Sequence, residues 1–219
     1  MKINFNIYCY RALLDVSKKI RIAIWLGLIL LLASCATPRP DNVADLCKIF
    51  QQYPQWYWAT QDVQKKWYVP IAVQMAIVHQ ESRFDGTARP PRTRLLWVIP
   101  WLRPTSAYGY SQALKETWEG YRLATGRHGA DRDEFADAVD FIGWYGYQAY
   151  RTAGVDRRNA YQLYLAYHEG IGGYQRKSYR SKPWLIHVAH KVQRRADIYQ
   201  RQLTLCRSRL KSKPWYRFW

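Results

Sequence analysis

Several features are missing from this 219-residue chain, and each absence narrows the field. Its apolar run IAIWLGLILLLAS, residues 22–34, falls short of the ~20 residues that a membrane-spanning helix needs. Alternating strand patterns are scarce, which argues against a sheet-based fold. There is no internal repeat and no long linker, so the chain reads as one domain's worth of sequence. Acids are few, with 16 Asp and Glu against 34 Lys and Arg, a net charge of +18. The first 34 residues carry five bases and one acid, or +4, which leaves +14 on the remainder. Such a field favours anionic partners: carboxylate-bearing peptides, anionic bilayers or nucleic acid.

What is present is helical periodicity. It recurs at 43–52, 70–83, 111–124, 133–151, 158–168 and 183–208, with Gly, Pro and Asn at the breaks. The stretch IAVQMAIVHQESRF, residues 71–84, places one carboxylate, Glu81, on a stripe with Ile71, Gln74, Ile77, Val78 and Phe84. A carboxylate among aliphatic neighbours is disfavoured as an anion, so its pKa should rise and it can hold a proton at neutral pH. That is the property of a general acid. The plainer alternative is a surface glutamate beside a chain reversal.

Two further segments follow in order: GYSQ at 109–112 after the lead-in PTSAY, and AYHEGIGGY at 166–174 after the apolar run AYQLYL. A helix ending in Glu-Ser, then Gly-x-x-Gln, then Ala-Tyr-x-x-Gly resembles the lytic transglycosylases with a soluble-transglycosylase catalytic domain, relatives of goose-type lysozyme. The resemblance spans roughly residues 66–180 and implies a mainly α, lysozyme-like single domain. It implies that Glu81 is the catalytic acid and that Ser82 helps orient it. Gln112 and the backbone of Tyr110 would lie beside the sugar, with Tyr167 lining the cleft. His168 stands where the family has Asn, and its imidazole can still donate or accept one hydrogen bond. Tyr108 also belongs to the motif region and joins the substrate-binding set.

The implied reaction needs one carboxylate, where ordinary glycosidases use two. No second acid occupies a family position; Glu169 and Asp85 are the nearest in sequence. In the family the substrate's N-acetyl group is the nucleophile. The acid first protonates the glycosidic oxygen, then takes a proton from the 6-hydroxyl, leaving a 1,6-anhydro-MurNAc end. No cofactor is implied. A non-catalytic wall-binding lipoprotein and a lysozyme-like hydrolase are the alternatives.

At the front, a basic segment, the 22–34 run and the ending LASC resemble a bacterial lipoprotein signal and its processing box. This implies a signal peptide over 1–34, a lipidated Cys35 with a short tether over 35–42, and a catalytic domain over 43–219 with a basic C-terminal helix and tail. A retained signal anchor is the alternative. Ala36 and Thr37 after the cysteine favour an outer-membrane location on the periplasmic side, where nucleic acid is not the normal partner. The partners implied are peptidoglycan strands and the membrane holding the lipid.

Of the four cysteines, Cys9 leaves with the signal, so only Cys47 and Cys206 remain beside Cys35. Cys47 lies on the stripe Val43, Leu46, Cys47, Phe50 and Cys206 ends a long one, on helices at opposite ends of the chain, and an oxidising compartment would let them bridge. Two unpaired buried thiols are the other possibility. The segment RPPRTRLLWVIPWLRP, residues 89–104, makes the connection from Glu81 to GYSQ longer than the family's usual one. Its apolar centre, Leu95 to Leu102, reads as a flap over the sugar cleft, a segment dipping toward the lipid surface, or a local hairpin packed on the domain. The aromatic clusters at 53–58 and 144–150 read as packing. His187 and His190 are three apart but lack a third ligand, so no metal is assigned.

Overall fold

A computed structural model describes residues 37–91 and 105–215, together with the backbone of 94–95 and 99–100. The chain divides into two units, Met1–Thr37 and Pro38–Trp219, and the described residues lie almost entirely in the second. Cys35, the residues before it and most of the apolar centre 95–102 lie outside the described residues.

The fold is mainly helical. Its α-helices are α1 (Leu46–Gln52), α2 (Pro54–Trp67), α3 (Ile71–Ser82), α4 (Lys115–Thr125), α5 (Phe135–Ala153), α6 (Ala160–Glu169), α7 (Ile171–Gln175) and α8 (Pro183–Cys206). Between α3 and α4 a short antiparallel pair joins β1 (Arg94–Leu95) to β2 (Ile99–Pro100). Local chemistry sets several boundaries. Asp45 caps α1 by accepting from the backbone N–H groups of Cys47 and Lys48, and Asn159 caps α6 by accepting from that of Gln162. Pro54 opens α2, where a missing N–H costs nothing. Gly126 and Gly154 close α4 and α5 in the left-handed conformation.

Two outcomes differ from the periodicity. Residues 54–67 form a full helix that was not among the periodic segments; it buries Trp56, Tyr57, Thr60 and Val63 along one face, a stripe interrupted by a polar residue. The central helix α3 is not amphipathic: every residue from Ile71 to Val78 is buried, so it lacks a wet face until its last turn. It packs against α8, α2, α5 and α6, and α8 also runs along α6. Gln74, buried at its middle, donates to the carbonyls of Thr60 and Val69 at 3.1 and 2.8 Å, tying α3 to α2.

One buried charge braces the outer layer. Asp140 on α5 accepts from Trp67 Nε1 (2.7 Å), Tyr121 Oη (2.8 Å) and Arg127 Nη1 (3.0 Å), with Lys66 Nζ at 3.3 Å. These partners hold its carboxyl below the usual range although burial pushes the other way. The two ends of the domain meet at a Cys47–Cys206 disulfide with a Cα–Cα distance of 6.1 Å. Beside it the Gln202 side chain accepts from Leu46 N–H and donates to the Ala44 carbonyl. Residues 38–42 lie along the domain: Arg39 pairs with Asp85, and Tyr53 Oη donates to the Pro38 carbonyl at 2.9 Å.

Candidate active site

Glu81 sits in the last turn of α3, where the helix leaves the core, and keeps partial access to solvent. Dense protein around its carboxylate strips away hydration and raises its pKa to about 7, although the Tyr164 hydroxyl donates a hydrogen bond that works in the opposite direction. Desolvation therefore outweighs the hydrogen bond. Tyr164 lies on α6 and is itself buried. Its own ionisation is pushed far up, first by burial and then by the Glu81 charge.

Tyr167, three residues along on the same face of α6, also feels the Glu81 charge. Its hydroxyl donates to the Ser111 carbonyl at 2.7 Å, which joins α6 to the GYSQ turn. Behind it Tyr145 of α5 packs edge to face on the Tyr167 ring at 5.2 Å and donates to the Ala166 carbonyl. Ser111 is fully buried, and its hydroxyl has no hydrogen-bond partner among the described residues.

The loops that carry the motifs are held in costly backbone conformations. Arg83, Phe84 and Gln112 all have positive φ, at 51°, 63° and 49°, conformations that disfavour side chains with a Cβ. Packing over-determines them. Phe84 is fully buried and stacks on Trp56 of α2, whose ring also lies flat against Phe135 at 4.0 Å and meets Tyr110 edge-on at 5.6 Å. Trp56 thus supports the residue after the Glu81 turn and the GYSQ turn at once. Gly109, at φ 78°, passes so close to Arg132 that an added Cβ would stand 2.0 Å from its carbonyl oxygen.

The sequence-derived site residues fall into two groups. Tyr167 lies near enough to Glu81 to feel its charge, and its bond to Ser111 links it to the turn. Gln112 spends its amide on the carbonyls of Ala88 and Gly109 at 2.9 and 2.8 Å, so it shapes the turn. Tyr110 turns its ring into the core, and its N–H donates to the Arg132 carbonyl. Ser82 donates to the Val78 carbonyl at 3.2 Å, closing the helix end next to Glu81. Tyr108 lies further out, donating to Asp133 at 2.9 Å with the Arg89 guanidinium over its ring. His168 is exposed, edge-on to Trp184 at 5.1 Å.

Tyr164 is the residue sequence reasoning passed over, since a tyrosine inside AYQLYL reads as core. The three-residue spacing to Tyr167 on a helix was the available signal. The two neighbouring acids are committed elsewhere. Glu169 accepts from Ser178 Oγ (2.5 Å) and Lys182 Nζ (2.8 Å), which hold its carboxyl below the ordinary value, and Asp85 is engaged by Arg39 and Thr87. Among the described residues no group of His, Cys, Asp and Glu gathers to hold a metal, and no helix is long and apolar enough to cross a membrane.

The family model described as a transglycosylase SLT domain matches residues 23–206. No curated protein matches the chain.

Proposed function

Because that match covers most of the chain, the protein belongs to the transglycosylase SLT domain family, and we propose that it is a peptidoglycan lytic transglycosylase with Glu81 as its single acid and base. The observation that carries this reading is one carboxylate with a pKa raised by burial to about 7, on which no second carboxylate acts among the described residues. A group half-protonated at neutral pH can give a proton and take one back. Glu81 would protonate the glycosidic oxygen between MurNAc and GlcNAc as that bond breaks. The MurNAc N-acetyl oxygen would capture the sugar carbon, the substrate-assisted alternative to a carboxylate nucleophile. Glu81, now ionised, would accept the 6-hydroxyl proton as that oxygen attacks the same sugar carbon, displaces the N-acetyl oxygen and closes the 1,6-anhydro ring.

Tyr164 has a supporting role in this scheme. Its hydroxyl holds one carboxylate oxygen in place and stabilises the anion formed between the two half-reactions. Tyr167 and the Ser111 backbone form the cleft wall beside Glu81, with Tyr108 and His168 further along as glycan contacts. Ser82, Gln112 and the Tyr110 backbone contribute by fixing the two turns. In this reading the LASC ending makes Cys35 the lipidated first residue of a mature chain acting on the wall from the outer membrane's periplasmic face.

Digesting purified peptidoglycan and identifying the ends by mass spectrometry tests the assignment. Anhydro-muropeptides are expected from the native chain and none from Glu81→Gln. Reducing ends would make it a hydrolase, and retention on sacculi without any product would make it a wall-binding protein.

A further inference from the structure

A cavity of about 500 Å³ opens between the last turns of α3 and the middle of α8. Neither Glu81, Tyr164 nor Tyr167 lines it. Its rim carries Arg83, Lys191, Arg194 and Arg195, and its floor is apolar, with the buried side chains of Ala76 and Val192. No carboxylate lines it, and among the described residues none of the four bases forms an ion pair. Four like charges around one hollow repel one another, so a bound anion relieves the repulsion while gaining donors already in place. Half-buried His79 stands in the wall. Burial, with Arg195 and Arg83 nearby, lowers its pKa to about 4, so at neutral pH the ring is uncharged and offers one donor and one acceptor.

The floor narrows the choice of anion. A bare ion gains nothing from aliphatic walls, whereas a phosphate ester with a glycerol body covers them. The outer face of α8 points to where such a ligand resides. Lys191, Arg194, Ile198 and Arg201 follow one another at helical spacing between two exposed apolar side chains, Trp184 at 54% and Leu205 at 76% exposure. Bases bracketed by a tryptophan and a leucine on one helix face suit the boundary between headgroups and acyl chains.

We propose that this cavity binds the phosphate headgroup of an anionic phospholipid, with the outer face of α8 laid against the bilayer. The site stands whether or not Glu81 cleaves glycan. The full chain, held in neutral detergent micelles with equal amounts of phosphatidylglycerol and phosphatidylcholine, can be released in native mass spectrometry and its retained lipids counted. Phosphatidylglycerol should be kept over phosphatidylcholine by about tenfold or more, and Lys191→Glu with Arg194→Glu should erase that preference. Both positions are exposed, and an unchanged thermal midpoint shows that the double variant is folded. Equal retention of the two lipids, or a preference surviving in the double variant, overturns the proposal. Millimolar inorganic phosphate that displaces phosphatidylglycerol and itself remains bound would reassign the cavity to free phosphate and overturn the lipid assignment.

Discussion

Replacing Glu81 by Gln should abolish turnover and, at the same time, stabilise the protein at neutral and alkaline pH. A glutamate's pKa of 4.5 in the unfolded chain rises to about 7 in the folded one. Between those values the folded state binds the proton more tightly, so stability falls as pH rises, and above about pH 7 the full penalty of the buried anion is present. A shift of this size corresponds to about 3 kcal/mol, and the partial access of Glu81 to solvent reduces it to about 2 to 3 kcal/mol. Gln has the shape of the protonated acid and still accepts from Tyr164, but it carries no charge to desolvate. The variant should therefore melt about 5 to 10 °C above wild type at pH 8 for a domain of this size. Below about pH 4.5 the gap should close, because Glu81 is then neutral in both states. Calorimetry of both proteins from pH 4 to 8 measures the difference, and other carboxylates cancel from it. A gap that does not vary with pH would refute the claim that Glu81 is desolvated.

Tyr164→Phe removes the one hydrogen bond that favours ionised Glu81. The alkaline limb of the pH–rate profile should move upward and kcat should fall; an unmoved limb would separate Tyr164 from the acid. Replacing both Cys47 and Cys206 by Ala frees the 159-residue span and should cost up to about 4 to 5 kcal/mol in urea unfolding. In the native chain, denatured without reductant, neither cysteine should react with a thiol reagent. Gly109→Ala should destabilise by at least about 2 kcal/mol, since φ is positive and the new methyl meets the Arg132 carbonyl. Little change in denaturation midpoint there would mean that the turn can shift away.

Much of this arrangement was legible from residue order. Glu81 stood out as an acid at the end of an apolar helix, and the expected rise in its pKa follows from its burial. The cysteine pairing was legible because both residues lie on inward-facing stripes. Helix α2 was not, because its buried stripe, Trp56, Tyr57, Thr60 and Val63, includes a polar threonine and sits in a run of aromatics, and Trp56 is held by distant partners, Phe135 and Tyr110. Nor was the role of Gln112, whose amide a motif comparison directs at sugar while the backbone geometry turns it onto two carbonyls. Tyr164 was hidden for a related reason. An aromatic residue in an apolar run looks the same whether its hydroxyl meets a carbonyl or an acid, and only the packing of α6 beside α3 decides between them.

The clasp between Cys47 and Cys206 also governs how the domain answers to force. A pull applied between the front of the chain and its tail passes through the sulfur bridge and bypasses the residues it encloses, so the helices around Glu81 carry no tension. The same clasp fixes an order of assembly. Its second half lies in α8, so α1 cannot be locked in place until the chain as far as Cys206 has been made and the two thiols have been oxidised.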